Sequence, residues 1–298
     1  DEGFKIRPGD TQSFAIGPLF KASYVTTAAD CTAQQGVFNA TSGVCSFPGR
    51  AAAAGAQGFP GIPTGSATNK SRHSMAGYAE LDTEIVAGLT TTLAGRFEHF
   101  SDFGDTVNGK LAARYEVAPG FALRGSLSNG FRAPSLHQQY FSTTSTNFIA
   151  GVPVDISTVA VNSPVARALG SKDLKPEKST NLSAGFTARP MRSLTVTVDY
   201  YNIKIKDRIV LTENLGAAGS GSSAVNAAVK AVLDANGFNS VGAARFFING
   251  LDTRTQGVDA VVNWRLPVED FGNWTLTAAY NYNKQQILQR KNQLGPLA

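Results

Sequence analysis

Apolar and polar residues alternate with period two along most of the chain. In 110–117, Leu111, Ala113, Tyr115 and Val117 fall on one face, and Lys110, Ala112, Arg114 and Glu116 on the other, as a β-strand requires. Phe121, Leu123, Gly125 and Leu127 oppose Ala122, Arg124, Ser126 and Ser128 in the same way. Leu182, Ala184, Phe186 and Ala188 oppose Asn181, Ser183, Gly185 and Thr187, and Leu194, Val196, Val198 and Tyr200 oppose Thr195, Thr197 and Asp199. Val258, Ala260, Val262 and Trp264 oppose Asp259, Asn263 and Arg265, with Val261 the misfit, while Leu276, Ala278, Tyr280 and Tyr282 oppose Thr275, Thr277, Asn281 and Asn283. Residues 89–100 keep the pattern with Arg96 and Glu98 on the polar side. Residues 75–82 keep it more weakly, since Tyr78 shares the face of Glu80.

The predicted strands come in pairs. Those near 73–83 and 89–100 meet at 85–88, those near 109–117 and 121–131 at 118–120, those near 180–189 and 194–206 at 190–193, and those near 244–266 and 274–286 at 267–273. Between the pairs the connections lengthen. The stretch 101–108 is modest, but 132–179 and 207–243 far exceed the usual ~4–6 residues. Short turns then gather at one end of an antiparallel sheet and long loops at the other. A soluble sandwich also alternates, but strands of ~10 residues with loops segregated by end suit a transmembrane β-barrel. Trp264 and Trp274 share the apolar parity and flank one short turn, where an aromatic girdle at the membrane interface belongs. Charged residues would then face a wet lumen and aliphatic ones lipid, whereas a sandwich core would have to bury those charges.

Composition narrows the partners. Charged residues make up 16% of the chain, against ~25% in ordinary soluble domains, while 42% are hydrophobic and 30 are Gly. That profile excludes a disordered polyelectrolyte and a coiled coil. The net charge is +5, but Lys and Arg are scattered and form no phosphate-binding footprint, so nucleic acid is not an expected partner. No run approaches the ~18 apolar residues of a spanning helix. The first residues, Asp1-Glu2-Gly3-Phe4-Lys5, lack a signal-peptide pattern, and the chain reads as one that was never exported or as part of a longer one.

Gly130-Phe131-Arg132-Ala133-Pro134-Ser135-Leu136, followed by Leu174-Lys175-Pro176-Glu177-Lys178-Ser179, resembles the barrel signature of TonB-dependent outer-membrane receptors. Ser101-Asp102-Phe103-Gly104, Asp199-Tyr200-Tyr201, Ile205-Lys206-Asp207-Arg208-Ile209, Asn249-Gly250 and Gln256-Gly257-Val258-Asp259 extend the likeness over about 58–283. The resemblance implies an all-β fold, an antiparallel transmembrane β-barrel segment with long extracellular loops carrying short helices, in the bacterial outer membrane. It also implies import of a scarce nutrient, such as a ferric siderophore, cobalamin, haem or an oligosaccharide, energised by TonB through a plug domain. No TonB box, plug or terminal aromatic strand is recognised, and roughly eight strands are read against the ~22 of large plugged barrels. Residues 1–298 are therefore expected to be part of such a barrel. Eight strands closing alone would leave no room for a plug or bulky cargo. A passive outer-membrane barrel or adhesin scaffold with partner-binding loops is the other reading.

The loops hold the remaining chemistry. Cys31 and Cys45, the only cysteines, flank a polar, Gly-bearing segment, and an exported compartment would oxidise them to a disulfide; two unpaired thiols are the alternative. Val225, Val229, Val232 and Leu233 form a helical stripe between a Ser222 cap and Gly237, and 163–170 reads as a shorter helix with Pro164 at its first position. Both helices either cover the mouth as a lid or pack the long loops. Arg132, His137, Gln138, Gln139, Tyr140, Phe141 and Asn147 are ligand-capable groups suited to a sugar or a siderophore. Arg132 is also placed to pair with a carboxylate such as Glu177 and anchor the loop. His73, His99 and His137 lie on separate segments without zinc-ligand spacing, and no nucleophile, general base or cofactor motif is recognised, so no metal, cofactor or enzymatic role is expected. Gly216-Ala217-Ala218-Gly219-Ser220-Gly221 lacks the Gly-Lys-Ser/Thr of a phosphate loop and reads as a linker.

Overall fold

A computed structural model describes residues 2–6, 28–29, 37–39, 44–46, 66–149, 152–216, 222–239, 241–268 and 271–291. Its strands are β1 (Glu2–Ile6), β2 (Val37–Asn39), β3 (Val44–Ser46), β4 (Thr68–Arg72), β5 (Ser74–Val86), β6 (Leu89–Phe100), β7 (Gly104–Ala118), β8 (Phe121–Arg132), β9 (Thr143–Ile149), β10 (Val152–Thr158), β11 (Glu177–Met191), β12 (Leu194–Leu211), β13 (Leu215–Gly216), β14 (Ala243–Arg245), β15 (Phe247–Val268) and β16 (Gly272–Arg290). The helices are α1 (Leu136–Tyr140), α2 (Pro164–Ala168) and α3 (Ser223–Ala235). One eight-stranded antiparallel sheet, in the order β5-β6-β7-β8-β11-β12-β15-β16, forms the wall of the molecule. It is open, with β5 and β16 at its edges, and so does not close as the eight-stranded barrel weighed above.

The register places one residue per strand in rows across the wall, and each row is all outside or all inside. Leu81, Leu93, Leu111, Leu127 and Leu182 lie side by side in one outer row. Leu89, Tyr115, Leu123, Phe186, Val198, Ala260 and Tyr280 make another. Leu93, Leu111 and Leu127 are 59%, 55% and 51% exposed, which water would not tolerate over a whole sheet face. The apolar band is oblique. Its upper limit, toward the long connections, is Phe97 on β6 and Val107 on β7, Leu127 and Leu182 on β8 and β11, and Tyr200, Val258 and Tyr282 on β12, β15 and β16. Its lower limit moves the same way, from Leu89 on β6 through Phe121 on β8 and Leu194 on β12 to Trp274 on β16. Both limits slip by ~6 residues, or ~20 Å, over six strand spacings of ~4.8 Å, giving a strand tilt of roughly 35°. Corrected for that tilt, the band is ~20–25 Å tall, the dimension of a barrel's lipid-facing belt.

Three boundaries differ from the sequence expectation. The connection expected over 101–108 is only 101–103, because β7 already begins at Gly104. Pro190 belongs to β11, at the irregular register between Ala188 and Met191. The 132–179 stretch is a structured segment holding α1, the β9–β10 hairpin and α2.

Buried apolar side chains lie mainly in the long connections. Val159, Ala166, Leu169, Leu215, Val229, Leu233, Ala244, Phe246 and Ile248 form one core. It is enclosed by α2, α3 and a small sheet ordered β13-β14-β10-β9, in which β10 and β14 run parallel. Both helices begin as the sequence indicates, with Ser163 and Ser222 accepting from the N–H groups of Ala166 and Val225. Between a lid and a packing element, these contacts favour packing.

Candidate functional site

The inner face of the wall is polar along every strand. Glu84, Thr90, Arg114, Arg124, Gly185, Asp199, Asp259 and Asn281 occupy one row. Arg124 Nε donates to Asp199 Oδ1 at 2.7 Å, and its NH2 makes a second, shorter bond to Oδ2. The pair spans a whole strand because Gly185 lies between its members; a Cβ there would collide with Asp199 Oδ1 and Val198 O. One row further, Ser126 and Ser183 share a hydrogen bond of 2.7 Å, and Asn283 Nδ2 donates to the Tyr201 hydroxyl at 3.2 Å across Gly257. Together these rows line an open concavity of about 510 Å³. Its cations and anions are segregated, Arg114 and Arg124 on β7 and β8, Asp199 and Asp259 on β12 and β15.

At the loop end the strands are tied by buried polar contacts. Arg132 donates to Glu177 through Nε (2.9 Å) and NH2 (2.6 Å), and the Ile209 N–H donates to the same carboxylate at 2.7 Å. Three strands, β8, β11 and β12, meet at Glu177, which lies above the apolar band. Burial alone would push its carboxyl up, but the Arg132 and Ile209 hydrogen bonds and the charges of Arg132 and Arg208 outweigh it and hold it below the usual carboxylate range. Arg72, 4% exposed, bonds Asp102 through Nε (3.0 Å) and NH2 (2.7 Å), reaches the Pro134 carbonyl at 2.6 Å and lies 5.4 Å from the Phe103 ring centroid. Phe103 stacks on Phe100 at 4.4 Å. Asn249, 3% exposed, accepts from the Lys175 N–H (2.8 Å) and donates to the carbonyls of Lys175 (2.9 Å) and Asp207 (2.6 Å).

The ligand-capable residues named from the sequence are mostly neighbours. Arg132 ends β8, His137, Gln138, Gln139 and Tyr140 form α1, and Phe141 caps it. Ser135 and Gln138 complete a capping box, which orients this short helix. His137 stacks on Phe141 at 4.4 Å, Lys70 Nζ lies 5.3 Å over the Tyr140 ring, and Gln139 Nε2 donates to Asp102 Oδ2 at 3.3 Å. Asn147 sits apart on β9, in register with Val154. Trp264 and Trp274 occupy neighbouring outer rows at the turn end of β15 and β16. Cys45 is in β3, but Cys31 lies outside the described residues, and the expected disulfide with it. Sequence reasoning passed over Arg72 and assigned no pairing to Arg124 and Asp199. Parity gives a face but not a register, and the one available clue was a glycine at 185 on the polar side.

The family described as TonB dependent receptor-like, beta-barrel matches residues 18–295. The iron-regulated outer membrane virulence protein of Vibrio cholerae serotype O1 (El Tor Inaba N16961) is 22% identical over 222 residues, covering 74% of this chain and 29% of that protein. The siderophore receptor PirA from Pseudomonas aeruginosa superposes with a TM-score of 0.52 at 17% identity, covering 74% of this chain and 36% of that one. A mutant ferric enterobactin receptor from Pseudomonas aeruginosa in complex with enterobactin gives 0.51 at 17% identity, covering 72% of this chain and 28% of that one. The chain thus spans 29% of the length of that curated relative, and the structural likenesses establish the fold.

Proposed function

The chain belongs to the TonB-dependent receptor β-barrel family, and from that premise we propose that it forms part of the wall and mouth of an outer-membrane receptor that imports a ferric siderophore. The carrying observation is the two-faced wall. Its outer face is an oblique apolar belt of bilayer height, and its inner face carries paired charges of the kind that line a hydrated lumen. Relatives named as iron-regulated and as siderophore receptors favour iron over the cobalamin and oligosaccharide cargoes considered from sequence. The lumenal row from Arg114 to Asp259 is the surface for a plug domain, through which TonB acts, and 1–298 is one section of the barrel. At the mouth, His137, Tyr140 and Phe141 contact cargo, whereas Arg132 and Gln139 hold α1 and the loop in place through Glu177 and Asp102. Trp264 and Trp274 lie in the opposite membrane interface. The family is one of transport receptors, not enzymes.

Uptake of radiolabelled ferric siderophore by iron-starved cells expressing the full-length receptor tests this. Accumulation should stop when the proton gradient is collapsed, and Tyr140→Ala with Phe141→Ala should lower uptake at least several-fold. Accumulation that persists without the gradient would instead identify a passive barrel.

A further inference from the structure

Strands β7 and β8 separate at the loop end of the wall. Their ladder runs from Ala118 opposite Phe121 up to Lys110 opposite Ser128. Above that level, among the described residues, 104–109 continue a ladder with β6 alone and 129–132 with β11 alone. The Asn129 amide fills the first step of this seam, accepting from the Gly109 N–H at 2.7 Å and donating to the Val107 carbonyl at 3.0 Å. One side chain thus satisfies backbone groups that a neighbouring strand would otherwise meet. Higher up, Phe131 of β8 packs edge-on against Phe100 of β6, with ring centroids 5.6 Å apart. Arg72, from β4, then spans the seam. It holds Asp102 of the β6–β7 turn on one flank and the Pro134 carbonyl, two residues past β8, on the other.

Helix α1 starts at Leu136, directly after Pro134 and Ser135, so this arginine bridge supports it on the β7 side as the Arg132–Glu177 pair does on the β11 side. Gln139 Nε2 donates to Asp102 Oδ2 at 3.3 Å and to the Pro134 carbonyl at 3.4 Å, two of the acceptors that Arg72 uses. Lys70 lies two residues before Arg72 on β4 and shares its parity, with Nζ over the Tyr140 ring. Arg72 itself is 4% exposed, which keeps it out of reach of cargo. We propose that Arg72 is a positioning residue for cargo binding: by bridging the seam it sets the height and angle of α1, and so the placement of Tyr140 and Phe141. The proposal rests on the reading of α1 as the cargo-contacting element. The bridge requires arginine. Its planar fork holds both Asp102 oxygens and still reaches the Pro134 carbonyl, whereas lysine has one nitrogen for the same acceptors.

Equilibrium binding and uptake by iron-starved cells expressing the full-length receptor provide the test. The probe is radiolabelled ferric siderophore purified from iron-starved culture medium, and heat-modifiable electrophoretic mobility counts folded receptors. Arg72→Gln should raise the dissociation constant ~10-fold, and Arg72→Lys and Asp102→Asn at least ~5-fold. Sites per folded receptor and the maximal uptake rate should stay within about twofold of the parent. Arg72→Gln combined with Asp102→Asn should bind no more weakly than Arg72→Gln alone, as two partners in one bridge require. An arginine that served folding alone would lower the number of folded receptors and leave the affinity of the remainder unchanged. That result overturns the proposal, as does Arg72→Gln binding within about twofold of the parent. If Arg72→Gln does not reach the outer membrane, Arg72→Lys and Asp102→Asn decide, and parental affinity in both overturns it. Tyr140→Ala with Phe141→Ala separates this proposal from the reading beneath it. Parental affinity in the Arg72 variants with weakened binding in the aromatic pair removes only the role of Arg72. Parental affinity in the aromatic pair removes α1 as the cargo contact, and the proposal with it.

Discussion

Gly185 shows how much one missing side chain can organise. Arg124 reaches Asp199 only over its bare backbone, so Gly185→Val should break that pair and wedge β11 from β12. A loss of about 1–3 kcal/mol is expected, read as a lower unfolding midpoint in detergent. Glu177 adds a pH signature. Its folded pKa lies below the unfolded one, so its contribution is complete at neutral pH, begins to fade as the pH falls into the usual carboxylate range, and is gone once acid titrates the folded carboxyl. Protease cleavage of 133–176 should therefore stay slow from neutral to mildly acidic pH and rise only at lower pH. Glu177→Gln, with a cost of about 1–2 kcal/mol given the half-exposed Arg132, should cleave quickly at every pH. The Arg132–Glu177 pair was legible because both residues sit in recognisable motifs. Arg124–Asp199 was not, since its partners are 75 residues apart and only the register unites them.

Elements differ in how plainly they announce themselves. The long strands were visible from period two, because one face meets lipid and the other water. Helix α3 was visible too, through its Ser222 cap and the stripe ending at Leu233. Helix α1 was hidden, since five residues make too few turns to show a period, and its capping box was the sole local mark. Strand β9, Thr143–Ile149, carries Thr, Ser and Asn where alternation would need apolar residues, so it read as loop. Leu233, 1% exposed, is central to the loop core. Leu233→Ala should cost about 2–5 kcal/mol within the loop layer. Limited proteolysis should then cut the long connections while the heat-resistant mobility of the barrel is kept, because the wall reaches that core only through Ile248 and Val210 at the loop ends of β15 and β12.

At the scale of the molecule, the slant of the apolar band makes depth a property of register as well as of strand position. Val198 lies within the band and Asn202 just beyond it, on the same face of β12. Val198→Lys should cost about 2–4 kcal/mol of folding into lipid vesicles and Asn202→Lys no more than about 1 kcal/mol. Similar values at both positions would contradict the slant. Parity predicted this two-faced wall, but the tilt emerged only once pairing fixed which residues share a row. The parallel match of β10 with β14 carries another implication, for change over evolutionary time. Segments 133–176 and 212–246 both contribute to one hydrophobic nucleus, so a new specificity grafted through either segment alone would strand the other without its complement. Recombination that renews the outer surface of such a receptor has to carry both segments as one heritable unit.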